Sequence, residues 1–334
     1  MRRLFAAAVF ASLPIAGHAA TQAIIDNGTI QLGVDTLGQL NVGGGEPSYS
    51  TGTTVVGLRY LVDGERALES TSNGCLCEGW GVGIVGGEVG YANNDSGISG
   101  LTSESFTTDG LTKATSVVTV GTSLRVTHDF APSDKTDNLY RVRVKIENTT
   151  DGVIDDLRYR RVFDWDVDPT TFNEYTSIGG GAAATAVLFT SDNGFASSNP
   201  FAGPSSILAT GDFTDSGPGD HGALFDFGFG SLAKDGTFEF DIFYGAADTE
   251  KAAFAALAAV GAEVYSFGQP ACDPLGLGGL CGSDPSATFV FGFSGVGGDV
   301  VVPPDTTPVP IPATALMLLS GLGLLGVRRV RKQA

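Results

Sequence analysis

Long stretches of this chain alternate apolar and polar residues with a period of two, and that pattern excludes a helical fold. Leu124, Val126, His128 and Phe130 share one side of a run whose other side is Arg125, Thr127 and Asp129. Tyr140, Val142, Val144 and Ile146 likewise oppose Arg141, Arg143, Lys145 and Glu147. Side chains of a strand point alternately to its two faces, so each run predicts a strand with one buried and one wet side. Asp151-Gly152 then reads as a turn, with Leu157, Tyr159, Arg161, Phe163, Trp165 and Val167 as a returning face. The pattern predicts a long antiparallel hairpin there, and a second one joining residues 224–229 to 237–244 through Asp235-Gly236. Further turn signals stand at Asn27-Gly28, Asp63-Gly64, Asp109-Gly110 and Asn193-Gly194. Short strands with regular turns predict an all-β fold, a large antiparallel β-sandwich. One stretch differs: residues 248–260 are Ala-rich, with Asp248 or Thr249 to cap, Glu250 in the first turn and Gly261 to stop, which predicts a single helix.

Charge narrows the function classes. The formal charge is −18, and six of the 19 basic residues lie in the first three and last seven positions, which hold no acid. The body between keeps 13 basic against 37 acidic residues, a net of −24. Such a surface repels nucleic acid and suits divalent cations, basic partners or solubility. With 42% hydrophobic residues the chain is too apolar for disorder, and no composition break divides residues 20–300, read as one domain.

The two ends carry an address. Arg2 and Arg3, an uncharged apolar run to Ala16, and Gly17-His18-Ala19 form the three parts of a secretory signal peptide over residues 1–19, cleaved after Ala19 by signal peptidase. At the other end, residues 301–312 hold five prolines and read as an extended spacer. Residues 313–327 are uncharged and nearly all apolar, and Arg328, Arg329, Arg331 and Lys332 follow at once. Positive charge after an apolar segment resists translocation, so this C-terminal hydrophobic helix would stall in the inner membrane. Fifteen residues make a helix of ~22 Å, short of a bilayer core of ~30 Å. That shortness fits a removable sorting signal, the alternative being a permanent anchor.

Val309-Pro310-Ile311-Pro312-Ala313, the apolar run and the arginine cluster resemble a PEP-CTERM-type sorting signal in its VPLPA-like variant, with Ile311 where that variant has Leu. The resemblance implies processing by an exosortase-type membrane protease and delivery to the surface of a bacterium that makes exopolysaccharide. The body, through residues 75–80, 164–168 and 261–268, resembles the uncharacterised ectodomains of such proteins, for which no reaction is implied. A supersandwich of the galactose-mutarotase type is an analogy for the fold.

Four cysteines in an exported chain predict disulfides. Cys272 and Cys281 close a Gly/Pro-rich loop and suit a local bridge. On a flat strand Cys75 and Cys77 lie too far apart to bond, so either residues 74–78 turn tightly or the two pairs bridge to each other. The C-x-C and C-x8-C spacings do not match a four-cysteine zinc site.

The best candidate for chemistry is Asp164-Trp165-Asp166-Val167-Asp168-Pro169. On a strand the three carboxylates share one face at ~6.6 Å spacing. With Glu174 in the following loop, Asp164, Asp166 and Asp168 would offer a hard cation such as Ca²⁺ its oxygen ligands. The run is not an EF-hand, because Pro169 replaces the turn glycine. Cross-strand pairing with Arg158, Arg160, Arg141 or Arg143 accounts for the acids without a metal, and a solvated acidic strand is the expectation. No acid pair is singled out for glycoside hydrolysis. His128 sits on an apolar face and reads as a core residue, while His221 lies in a turn where Asp220 would orient it. Gly81-x-Gly83-x-x-Gly86 lacks the helix that a dinucleotide fold needs. No catalytic residue, cofactor or nucleic-acid partner is expected. The sequence predicts a non-enzymatic exported surface or matrix protein that associates with polysaccharide or Ca²⁺; the alternative is a secreted carbohydrate-binding or carbohydrate-active protein with an acidic site.

Overall fold

A computed structural model describes residues 20–62 and 66–304. The signal peptide with Ala19, the turn at Asp63-Gly64, and the tail with Val309, Pro310, Ile311, Pro312, Ala313, Arg328 and Arg329 lie outside the described residues. The described residues up to Val302 group into one compact unit.

The fold is all-β, as the alternation predicts. A nine-stranded antiparallel sheet runs, in spatial order, through Leu101–Thr108, Ala114–Val120, Leu124–Pro132, Leu139–Asn148, Thr237–Ala247, Thr288–Ser294, Val264–Pro270, Glu174–Gly179 and Phe213–Gly219. A six-stranded sheet runs through Val187–Ser191, His221–Leu232, Ile154–Trp165, Glu78–Ile84, Val89–Asn93 and Gly97–Ser99. A four-stranded sheet is built from Gln22–Asp26, Ile30–Asp35, Leu58–Leu61 and Ala67–Glu69. Burial alternates residue by residue along Leu124–Phe130 and Tyr140–Asn148, in the phase read from the sequence.

The two larger sheets pack face to face through aromatic rings. Tyr159 meets Phe240 with ring centroids 5.0 Å apart, Phe225 meets Phe293 at 4.9 Å, and Phe163 meets Phe291 at 5.0 Å. Such pairs add roughly 0.5–1.5 kcal/mol each beyond their area burial. His128 is buried in this layer, 4.4 Å from the Trp80 ring and 3.2 Å through Nε2 from the Tyr159 hydroxyl, as expected for a core histidine. Burial and the nearby Arg161 charge push its pKa well below the usual value, so it stays neutral.

Both predicted hairpins are instead crossings between sheets. Leu139–Asn148 pairs with Leu124–Pro132 and Thr237–Ala247, whereas Ile154–Trp165 pairs with His221–Leu232 and Glu78–Ile84. His221–Leu232 and Thr237–Ala247 likewise belong to different sheets. Each of these strands carries a long apolar face, and stacking the two faces buries both at once. Asn148 fixes both crossings: its Nδ2 donates to Gly152 O and to Ala233 O, each at 2.9 Å.

The predicted helix is Glu250–Val260, capped by the Thr249 side chain on the Ala252 N–H and ended by Gly261 in the left-handed region. It lays Ala253, Ala256 and Leu257 on the outer face of the nine-stranded sheet, against Phe243, Phe267 and Val290. On the outer face of the six-stranded sheet, glycines let a loop lie flat. A Cβ on Gly81 would stand 2.1 Å from Ser198 O, and one on Gly83 2.6 Å from the Phe201 ring. The Gly81-x-Gly83 pattern therefore serves close packing within a strand.

Candidate functional site

Strand Ile154–Trp165 ends where the acidic run begins. Beyond Trp165 the chain leaves the six-stranded sheet and lies along the four-stranded one: Asp166 N–H donates to Ser70 O at 2.7 Å and Asp168 N–H to Glu69 O at 3.0 Å. This change of partner separates three carboxylates that a continuous strand would hold in line.

Asp168 becomes an organiser of loops. Its carboxylate accepts from Glu69 N–H at 3.0 Å, Asn73 Nδ2 at 2.9 Å, the Thr171 hydroxyl at 3.3 Å and the Ser50 hydroxyl. Asp164 and Asp166 instead meet Asp220, one oxygen from each lying within 4.8 Å of the others. Asp220 comes from the turn before His221–Leu232. Glu174, at the start of its strand in the nine-stranded sheet, is near enough to feel the charges of Asp166, Asp164 and Asp220, and its Oε1 accepts from the N–H of His221 next to Asp220.

These groups are not a solvated acidic strand. Asp164 is 1% exposed, and Asp166, Asp168 and Glu174 are 0% exposed; Asp220 alone is exposed. The arginines expected as partners are engaged elsewhere: Arg158 with Asp156, Arg160 with Asp226, and Arg143 with Asp241. Arg141 lies in the nine-stranded sheet opposite Ala131 and Phe243. The sequence expectation failed because it took the outer face of this strand for a wet one. The loops around Gly74 and Gly194 cover it.

Hydrogen bonding leaves Asp166 and Glu174 half satisfied and gives Asp164 no donor among the described residues, since the sulfur beside it belongs to a disulfide. Asp166 Oδ2 accepts from Gly74 N–H at 3.1 Å, and Glu174 Oε1 from His221 N–H at 3.3 Å. Asp164 Oδ2 lies 3.3 Å from Cys75 Sγ. Asp164 Oδ1, Asp166 Oδ1 and Glu174 Oε2 have no hydrogen-bond partner among the described residues. Burial raises every pKa in the group, and mutual repulsion adds to it: Asp166 is pushed up to about 7, Glu174 to about 10, and Asp164 well above the usual carboxylate range. Asp220 is also raised by burial, with His221 opposing. Buried carboxylates so arranged hold protons or a cation.

His221 is not a turn residue oriented by Asp220. It is buried at the start of its strand, with Nδ1 3.4 Å from Asp192 Oδ2 and Nε2 3.1 Å from Glu174 O. Asp192 in turn accepts the N–H groups of Ile207, Leu208 and Ala209. Asp220, expected from the sequence only as a partner for this histidine, stands instead among the carboxylates. A glycine-rich turn bearing one acid, Gly217 to Gly222, was the available signal.

Both local cysteine pairings occur. Cys272 is bonded to Cys281, and Cys75 to Cys77 through a tight turn that brings their Cα atoms to 5.2 Å. The Cys75–Cys77 turn packs against Asp164 and helps close the acidic site. Elsewhere a groove of about 430 Å³ lies among Leu188, Pro200, Phe201 and Arg158, with Asp226 the acidic residue of its lining. No protein-family model, curated protein or solved structure matches this chain.

Proposed function

We propose that this chain is an exported bacterial protein, delivered to the cell surface or extracellular matrix, whose acidic β-sandwich serves a structural or adhesive role. The observation that supports export most directly is that all four cysteines are consumed in two local disulfides. Such bonds form and persist in oxidising compartments and are rare in a reducing cytosol. The reading combines this with the signal-peptide pattern at residues 1–19 and the sorting-signal resemblance near residues 309–332. An exosortase-type protease would process the tail after a transient stay in the inner membrane, leaving the body beside exopolysaccharide. The carbohydrate-active alternative needs two opposed carboxylates in one cleft; Asp226, bound to Arg160, is the lone acid lining the groove beside Phe201, and the two acids of a second hollow, Glu239 and Asp241, both pair with Arg143.

Intact mass of the protein recovered from envelope and medium tests this. The expected species begins at Ala20, ends near residue 312, and gains four hydrogens on reduction. A full-length chain with free thiols in the soluble cytoplasm would overturn the proposal.

A further inference from the structure

We propose that Asp164, Asp166 and Asp220 form a binding site for one hard divalent cation of the Ca²⁺ class, on the loop-covered outer face at the end of strand Ile154–Trp165. The inference concerns the body alone and stands whether or not the chain is exported. Acidic residues often cluster without a metal, so the argument rests on the oxygens themselves. Asp164 Oδ1 and Asp166 Oδ1, on residues at most 1% exposed, lack any hydrogen-bond partner among the described residues. A buried anionic oxygen without a partner is strongly destabilising, and a coordinated cation offsets this.

The surroundings hold these oxygens in place. A Cβ on Gly74 would stand 2.8 Å from Asp166 Oδ1, and one on Gly194 2.7 Å from Asp164 Oδ1. Glycine at both positions leaves room for carboxylates that any side chain would displace. Exposed Asp220 gives the cation an entrance from solvent.

Donor chemistry selects the ion. The three side chains offer only oxygen. The nearby softer donors are occupied: His221 by Asp192 and Glu174 O, Cys75 and Cys77 by each other. Zinc favours such nitrogen and sulfur ligands. An irregular set of carboxylates suits Ca²⁺, which takes six to eight oxygens in flexible geometry, better than Mg²⁺, which demands near-ideal octahedral geometry and sheds its waters reluctantly. Asp168, offered by the sequence as a ligand, is excluded because its oxygens are already taken. Asp164 lies at the end of its strand and Asp220 just before the neighbouring strand His221–Leu232, so the bound ion ties that strand end to the turn beside it.

The test is calorimetric titration of the full chain, in mild detergent after chelator treatment, with CaCl₂ and separately with MgCl₂ and ZnCl₂. The expected result is one saturable Ca²⁺ site, weakened at least ~10-fold by Asp220→Asn and abolished by Asp166→Asn. Asp220→Asn changes an exposed residue and keeps the core intact. In metal-free buffer Asp166→Asn should melt no lower than the unmodified chain, because it removes a repelling charge, yet lose the rise in Tm that Ca²⁺ gives. Absence of saturable Ca²⁺ binding, Ca²⁺ binding unchanged in both variants, or binding of Zn²⁺ in preference to Ca²⁺ would each overturn the proposal.

Discussion

Arg161 is fully buried between the sheets, in contact with the carboxylate of Glu78, which is also 0% exposed. Its guanidinium carbon lies 5.5 Å from the centre of the Tyr244 ring. Glu78 has two further partners, the Leu40 N–H at 2.6 Å and the Tyr244 hydroxyl at 3.2 Å. Burial raises the Glu78 pKa, and the Arg161 charge is the largest influence pulling it back. Replacing Arg161 by Met keeps an unbranched apolar stem and removes the charged head. Breaking a buried pair in this way costs ~3–5 kcal/mol. For a body of this size that is a fall in Tm of roughly 10 °C. Urea unfolding followed by the fluorescence of buried Trp80 and Trp165 would report it as a lower midpoint at unchanged slope. Glu78 then keeps its proton in the folded variant at a pH where the unfolded chain has lost it. The variant's deficit is therefore smallest near pH 4 and grows as pH rises. Adding Glu78→Leu should recover at least half of the loss, since an apolar pair can replace a buried ionic one. A loss under ~1 kcal/mol, or a double variant as unstable as the sum of the singles, would refute the assignment of this pair as a coupled buried ion pair.

Two further outcomes follow from the same physics. Replacing Cys272 and Cys281 by Ser opens a loop of sequence separation 9 and should lower stability by ~2.5 kcal/mol in chemical denaturation, with the remaining disulfide intact; no change would mean that the loop is already ordered without it. In chelator, the raised pKa values of Asp166, about 7, and Glu174, about 10, mean that stability is greatest near pH 4 and is lost as pH rises through those values. Melting curves at pH 5.5 and 8 should show this fall in the unmodified chain and a smaller one in Asp166→Asn, and equal slopes would refute it.

Strand identity was legible in the sequence, and strand partners were not. Tyr140 to Glu147 and Leu157 to Trp165 alternate as they must for a half-buried strand, but alternation is the same whether the next strand lies beside it or across the core. The deciding group was the Asn148 side chain, which holds both crossings, and nothing in an Asp-Gly turn reveals it. The helix was legible because its capping residue, first-turn acid and terminal glycine are all local. At the acidic site, Asp164 and Asp166 were visible as neighbours. Asp220 was not, because it arrives from another turn more than fifty residues away. Burial was hidden too, since it depends on loops whose only local sign is a glycine at positions 74 and 194.

The nine-stranded sheet has its latest strand in its middle. Thr288–Ser294 separates Thr237–Ala247 from Val264–Pro270 and bonds to both. Every polypeptide emerges N-terminus first, so this sheet exists until then as two part-sheets with two unpaired edges. Such edges recruit other strands, and pairings so distant in sequence form slowly. A chain cut short before residue 288 therefore has the strands of a sandwich without the piece that joins them, and would stick to its own copies. Completion of the fold is in this way made conditional on arrival of the segment just ahead of the tail.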